Sequence, residues 1–502
     1  MLPSKLQKIL FSLPSSIQKL IEPILHFLES IISQQHQKIS DLENKIRTLE
    51  LQLLDRTKNS QNSSKPPSTD SPYEKPAPKS RREDNGRKPG GQKNHEGNTL
   101  EMVTNPTHTI RYSVSTCGKC GLDLTTIPIK GVISRQSYDI PPLEIEVTEH
   151  QVEVKKCNCG HCNQADFPIW VNRYVQYGPN IKGLLVYLQN YQLLPYERTK
   201  EMIKDLFNHN ISGGTIYNSN KTAYENLENF EIDLKQVLCT ALIAGFDETG
   251  FRVLSKLWWL HSCSTNEYAY YEVHEKRGNE AMDDIGILPK YQGIAIHDFW
   301  KSYLKYSCTH GLCNAHLIRE LTFIHEKLDE EWASELIELL LEMKQAKEDA
   351  IAQNQQSINK EVLEQFQQKY DLIIQQGFEQ NPFIPPKPPP KGQKKKPGRP
   401  KKTKQRNLLE RLRDYKTDII RFLFDLAVPF DNNFSERDIR MMKLKQKISG
   451  CFRSKQGAQI FARVRSFIVT ARKQKRRVLQ VLVNIFMDNS IWEEMVNFSY
   501  AE

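Results

Sequence analysis

The chain has 502 residues, 38% of them hydrophobic, with 70 Lys or Arg against 60 Asp or Glu for a net charge of +10. That is enough apolar material for two or three domains with real cores, and it excludes a wholly disordered chain. No run of about 18 apolar residues is present, and the first 30 residues, broken by Pro14, Glu22, Pro23 and His26, do not read as an export signal, so a cytoplasmic, nucleoid-associated protein is expected.

Residues 1–25 have an amphipathic, helical pattern. Beyond them Leu28, Ile32, Gln35, Ile39, Leu42, Ile46, Leu49 and Leu53 recur at alternating steps of four and three. This is the period of a coiled-coil seam with one polar core position, so residues 1–56 are expected to be a helical dimerisation segment. A helix packed on the chain's own body is the competing reading. Residues 57–104 form a basic linker with two strings, Asn59-Ser-Gln-Asn-Ser-Ser-Lys-Pro-Pro-Ser-Thr-Asp70 and Gly86-Arg-Lys-Pro-Gly-Gly-Gln-Lys-Asn-His95. Such donor-rich, flexible strings suit a phosphate backbone or a plain solvated tether equally well.

Of the ten cysteines, five fall between positions 117 and 162. In a cytosolic chain such clustering points to metal before disulfides. Cys117-Gly-Lys-Cys120 and Cys157-Asn-Cys159-Gly-His-Cys162 can each form a knuckle, and Cys117, Cys120, Cys159 and Cys162 supply the four thiolates of a structural zinc site. Cys157 or His161 are alternatives within the second pair, and free thiols are the plain reading. Between the pairs, Leu143-Glu-Ile-Glu-Val-Thr-Glu-His-Gln-Val-Glu-Val154 alternates apolar and polar residues as β-ribbon arms would, giving a zinc-binding β arm over 105–175. Residues 176–238 read as helices, in which 197–207, a turn at 208–214 and 215–227 have the length of a helix-turn-helix. That unit suits either a DNA groove or simple packing.

The run Ala241-Leu-Ile-Ala-Gly-Phe-Asp247-Glu-Thr-Gly-Phe-Arg-Val-Leu254, followed by runs at 257–264 and 268–275, predicts a three-stranded meander. A carboxylate in the middle of a central strand is costly unless a cation or a wet cleft meets it, and metal binding is the natural explanation. Strand alternation puts Glu248 on the opposite face. A crossover helix at 279–288 then leads to a strand at 293–298, parallel to the first and ending in His297-Asp298, with His297 beside the site rather than a ligand. Cys313-Asn-Ala-His316-Leu-Ile-Arg319-Glu320 opens a helix.

An insertion over 326–426 carries helices and a loop at 381–406 with ten Lys or Arg, eight Pro and no acid. That loop holds the whole charge excess, is expected to be disordered alone and points to a polyanionic partner. After it, Asn433, Glu436, Arg440, Lys443 and Lys447 are spaced three, four, three, four and so share one helical face. Two strand acids and a helix acid make the constellation of a two-metal phosphoryl-transfer site. Each has a plain alternative: a turn acid for Asp247, a helix cap for Asp298 and a salt bridge to Arg440 for Glu436. Glu248, Asp431 and Asp438 are the neighbours most easily mistaken for them. Helices close the chain over 456–502.

These motifs together resemble the insertion sequence 66 family of bacterial transposases. The meander with Asp247, His-Asp298-Phe-Trp-Lys-Ser-Tyr, the Cys-Asn-Ala-His-Leu-Ile-Arg-Glu-Leu helix, Asn433-x-x-Glu436-Arg-x-x-Arg440-x-x-Lys443 with Ser449-Gly-Cys-Phe-Arg-Ser454, the linker strings and the cysteine pairs all take part. The resemblance covers nearly the whole chain. It implies an α/β multidomain protein with a ribonuclease-H-like core over 239–325 and 427–455, interrupted by the helical insertion and preceded by coiled coil, linker, zinc arm and a helical DNA-binding region. It also implies a DDE-class enzyme whose acids fall on Asp247, Asp298 and Glu436, with two Mg2+ or Mn2+ ions between them. Arg440, Lys443, Lys447, Arg453, His316 and Arg319 would contact DNA. The implied partners are the element's terminal inverted repeats, target DNA, a second copy of the chain or more, and accessory proteins of the same element. A zinc-containing DNA-binding protein derived from a transposase, or a nuclease without strand transfer, are the alternatives.

Overall fold

The structure, a computed structural model, describes residues 14–56, 100–383, 402–487 and 495. Residues 57–99 of the expected 57–104 linker and residues 384–401 of the expected 381–406 loop lie outside the described residues. Among the described residues no helix is long and apolar enough to cross a membrane. The chain divides into two units, one comprising Met1–Lys75, Asp166–Thr199 and Gly213–Glu502, the other Pro76–Ala165 and Lys200–Ser212.

The larger unit is built on a five-stranded sheet. Its strands are β3 (Ile243–Val253), β4 (Lys256–Ser264), β5 (Ala269–His274), β6 (Ile294–His297) and β7 (Thr309–Leu312), after a small hairpin in the other unit, β1 (Val154–Lys156) and β2 (Cys162–Gln164). The spatial order is β5-β4-β3-β6-β7. The meander pairs antiparallel, β3 and β6 pair parallel, and so do β6 and β7. The sequence predicted four of these strands and missed β7, because Thr309-His-Gly-Leu312 is too short and too mixed to show a period.

Helices make up most of the remaining described residues. They run α1 (Ser15–Arg56), α2 (Pro179–Val186), α3 (Tyr196–Phe207), α4 (Gly213–Asn226), α5 (Glu228–Thr240), α6 (Asn279–Ile285), α7 (Asn314–Leu328), α8 (Glu331–Ala352), α9 (Lys360–Gln380), α10 (Lys404–Asp414), α11 (Lys416–Ile419), α12 (Arg421–Phe424), α13 (Asn433–Ser449), α14 (Lys455–Lys473) and α15 (Val478–Asn484). The unpaired edge of β5 is satisfied by α14: the Ala269 N–H donates to Thr470 Oγ1 at 3.2 Å and the Tyr271 N–H to Ser466 Oγ at 2.9 Å. Side-chain hydroxyls thus replace the missing strand and block edge-to-edge pairing. Phe467 of the same helix meets Phe230 of α5 edge-to-face at 5.1 Å in the main core.

Helices α8 to α12 carry a second core of their own, centred on Trp332, Leu336, Leu339, Leu409 and Leu412. It is continuous with Ile296 of β6, Leu312 of β7 and Leu317 and Leu321 of α7. The insertion is therefore packed against the sheet's parallel edge rather than tethered to it.

Helix α13 sits close against β3 because Gly245 leaves room for it. A Cβ at Gly245 would collide with Asn432 Oδ1 and Ser435 Oγ, and Asn432 Nδ2 donates to the Phe246 carbonyl at 2.8 Å. The first turn of α13 is thereby fixed two residues from Asp247 along the strand.

The β-ribbon expected over 143–154 is not found. Residues 143–153 form no strand and are mostly exposed, with only Val154 entering β1; alternation alone makes no ribbon where no partner strand offers backbone groups. Helix α1 runs unbroken through 42 residues, with Pro23 inside it, and its apolar positions are uncovered: Leu28 is 47% exposed, Ile39 51%, Ile46 55% and Leu53 66%.

Candidate active site

The sheet register brings the first two acids together. Ile243 pairs with Ile294 and Gly245 with Ile296, so continuing two residues along each parallel strand sets Asp247 beside Asp298. Asp247 Oδ1 accepts the Glu248 N–H at 2.9 Å, and Asp298 Oδ1 accepts the Trp300 N–H at 2.9 Å. Glu436 reaches the same place from the first turn of α13. All three line one cleft of about 1110 Å³.

The electrostatics of this cluster are those of crowded acids. Burial, followed by the neighbouring charges of Glu248, Asp298 and Glu436, pushes the Asp247 carboxyl well above the usual carboxylate range. Glu436 Oε1 is buried with no hydrogen-bond partner. Its nearest nitrogen groups are the His316 ring, with Nδ1 3.5 Å from Oε1, and the Arg319 and Arg440 guanidinium groups, each with Nη2 3.9 Å from Oε2. Divalent cations with oxygen ligands fit this donor set, since they would relieve the repulsion and satisfy the orphaned oxygen together.

The neighbouring acids are committed elsewhere. Glu248 Oε1 accepts from Arg277 Nε at 2.9 Å and Nη2 at 2.6 Å, while Oε2 accepts from the Tyr303 hydroxyl. Arg277 is itself held between the rings of Trp259 and Trp300, at 4.9 and 4.2 Å. Burial, and then the charge of Asp298, raises the Glu248 carboxyl, so this clamp offsets a real desolvation cost. Asp431 accepts from the Asn433 backbone and side chain, and Asp438 from Ser264 and Lys473.

Behind Asp298, His297 is wholly buried, stacked on Tyr303 at 4.7 Å, and its Nε2 meets His310 Nδ1 at 2.9 Å. Burial lowers its pKa to about 3, which keeps the ring neutral. It packs beneath the acid and does not line the cleft. His316 does line it; burial lowers its pKa, against an opposing effect of Glu436. Burial also drives the Cys313 thiol up to about 12, and its Sγ lies 3.3 Å from His316 Nδ1.

The cations expected to meet DNA divide into two groups. His316, Arg319, Arg440 and Lys443 line the cleft, and Lys443 Nζ donates to the Gly250 carbonyl of β3, which holds its ammonium against the strand. Lys447 and Arg453 are exposed and outside the lining. Sequence spacing had missed the opposite wall, where α10 contributes Lys404, Asn407, Leu408 and Arg411. Lys404 falls within the stretch 381–406 expected to be a disordered loop, yet it opens α10, and spacing alone shows nothing of which way that helix faces.

In the smaller unit each cysteine pair closes a turn. The Gly121 N–H donates to the Cys117 carbonyl at 3.0 Å and the Gly160 N–H to the Cys157 carbonyl at 2.8 Å, with φ of 75° and 89° at the two glycines, the left-handed conformation glycine accepts without strain. Backbone N–H groups of Lys119 and Cys120 draw the Cys117 thiol below its ordinary pKa, and the Cys159 N–H does the same for Cys157. Cysteine sulfur is a donor of the type a zinc ion takes. Among the described residues, the only three such ligands with donor atoms within 4.8 Å of one another are Cys313, His316 and Glu436; Cys117, Cys120, Cys159 and Cys162 do not form such a set.

A family model described as Transposase IS66 family matches residues 174–460. A second model, for a family of unknown function (DUF6444), matches residues 13–101. No curated protein matches the chain.

Proposed function

The chain belongs to the IS66 family of transposases, and from that premise we propose that it is a DDE-class enzyme that cuts the ends of its element and joins them to target DNA. The observation that carries this reading is the meeting of Asp247, Asp298 and Glu436 in one cleft with an unsatisfied Glu436 oxygen. The sheet order, an antiparallel meander continued by two parallel strands, supports a ribonuclease-H-like core.

Asp247, Asp298 and Glu436 would together hold the divalent ions, Asp247 being the acid whose carboxyl feels the charge of both the others. Bound Mg2+ or Mn2+ supplies Lewis-acid assistance to the attacking and departing oxygens. The chain's own groups do the rest. Arg319 and Arg440, beside Glu436, orient phosphate oxygens, with guanidinium geometry suited to two-point contact. Glu248, locked by Arg277 and Tyr303, keeps β3 rigid behind Asp247. The same acids would serve cleavage and strand transfer in turn, since the 3′ hydroxyl released by the first step takes the place of water in the second.

The structural zinc reading rests on the two turns at Cys117 and Cys157, and pairing of two chains through α1 rests on its uncovered apolar stripe. The test of the catalytic reading is Asp247→Asn in full-length protein with DNA carrying the element's ends. Cleavage in Mg2+ should vanish while end binding persists; cleavage at the normal rate would overturn the assignment.

A further inference from the structure

The cleft contains a second donor set whose chemistry differs from that of the three acids. Cys313 immediately precedes α7, His316 lies in its first turn, and Glu436 lies in the first turn of α13. The two helix starts are tied together, because the Asn432 N–H donates to Cys313 Sγ at 3.2 Å. We propose that Cys313 Sγ, His316 Nδ1 and Glu436 Oε1 form a site for a thiophilic divalent cation such as Zn2+, which competes with catalytic ions for Glu436.

The distances suit it. Nδ1 lies 3.3 Å from Sγ and 3.5 Å from Oε1, and all three atoms are within 4.8 Å of one another. A tetrahedral ion with bonds of about 2.0–2.3 Å needs its ligands roughly 3.3–3.8 Å apart. Glu436 Oε1 is buried and has no other partner. Sulfur and imidazole select zinc, cobalt or cadmium over magnesium, which requires oxygen. Because His316 and Glu436 line the cleft, the fourth position of such an ion opens towards it. On binding, the thiol proton passes to solvent and the sulfur becomes a thiolate ligand.

The inhibitory consequence rests on the catalytic reading above: an ion held here occupies Glu436 Oε1, the oxygen that reading leaves for the catalytic ions. Zinc should therefore inhibit cleavage in excess Mg2+, and Cys313→Ser should relieve that inhibition.

Binding is tested independently of cleavage with Co2+ on the full-length chain, reading ion stoichiometry and thiolate-to-cobalt charge-transfer absorption. The cysteine turns of the smaller unit will also take cobalt, so the comparison is between variants. Cys313→Ser should bind one ion fewer and lose the matching absorption. His316→Ala, which keeps the sulfur, should weaken that one ion by more than the roughly 10–100-fold that loss of a supporting partner costs. Asp247→Asn, outside the set, should keep it. Unchanged stoichiometry and affinity in both Cys313→Ser and His316→Ala would overturn the site. Should the cobalt results hold but no cleavage in Mg2+ be found, the catalytic reading alone fails.

Discussion

Arg411 of the insertion is paired with Glu320 of the core helix α7. Its Nη2 donates to Glu320 Oε2, Nη1 lies 3.5 Å from Oε1, and the guanidinium carbon sits 5.0 Å from the ring of Phe299, the residue after Asp298. Both side chains are about a third exposed and both line the cleft.

A carboxylate holding an arginine at the rim of such a cleft occupies the place a phosphate would take, because both acceptors match the same planar fork. Glu320→Gln should therefore raise affinity for duplex DNA, and Arg411→Ala should lower it. The decisive measurement is the salt dependence of binding by fluorescence anisotropy: loss of one phosphate contact reduces the logarithmic slope by about one. An unaltered slope in Arg411→Ala would show that Arg411 only braces the insertion.

A pH dependence follows from His261, a buried residue of β4 whose Nε2 lies 3.2 Å from the Lys276 carbonyl oxygen. Burial lowers its pKa from 6.5 to about 4. Between those values the unfolded chain binds a proton that the folded chain does not, so stability rises with pH across the window and is lost as pH falls through it. The loss attributable to this group is about 3 kcal/mol at most. In urea titrations from pH 7 to pH 4, His261→Gln should lose less stability than the native chain. Parallel curves would mean that the imidazole gains a proton in place.

A third expectation concerns α1. A helix of 42 residues whose Leu42 is 57% exposed and Leu49 61% exposed leaves its apolar stripe in water unless a second helix covers it. Leu42→Glu combined with Leu49→Glu should convert a dimer into a monomer in light scattering while leaving the sheet unit's thermal unfolding in place. A native chain that is monomeric at micromolar concentration would remove the coiled-coil reading.

The parts of this site that were legible in the sequence are those governed by local periodicity. The apolar run around Asp247 and the one ending at Asp298 read as strands because their surroundings are buried, and the three-four spacing from Asn433 to Lys447 read as a helix face. Periodicity gives a face but not the end point of a long side chain, so it could not show Lys443 turning back to the Gly250 carbonyl. Nor could it show Arg277 reaching Glu248 between two tryptophans. The α10 wall was illegible for another reason: which side of an inserted helix meets the cleft is decided by packing of Leu408, Leu409 and Leu412 against distant residues. Cys313 and His316 were visible as a motif, yet their approach to Glu436 depends on a contact across more than a hundred residues.

The last expectation distinguishes among the cysteines of the smaller unit. Sequence spacing favoured Cys159 with Cys162 as the second pair, matching Cys117 with Cys120. The backbone favours a different correspondence. The Cys117 thiol is supported by the N–H groups of Lys119 and Cys120, and the thiol supported in the same way in the second turn is that of Cys157, by the N–H of Cys159. Each turn then ends in a glycine with positive φ, Gly121 and Gly160. Backbone donors near a sulfur favour its thiolate, the form that binds metal, which makes Cys157 the expected counterpart of Cys117. Zinc content measured on purified full-length protein should fall with Cys117→Ser and with Cys157→Ser, while Cys159→Ser should retain more metal than Cys157→Ser. The reverse order would restore the pairing read from spacing, and equal, full zinc in all three variants would remove the metal from this unit.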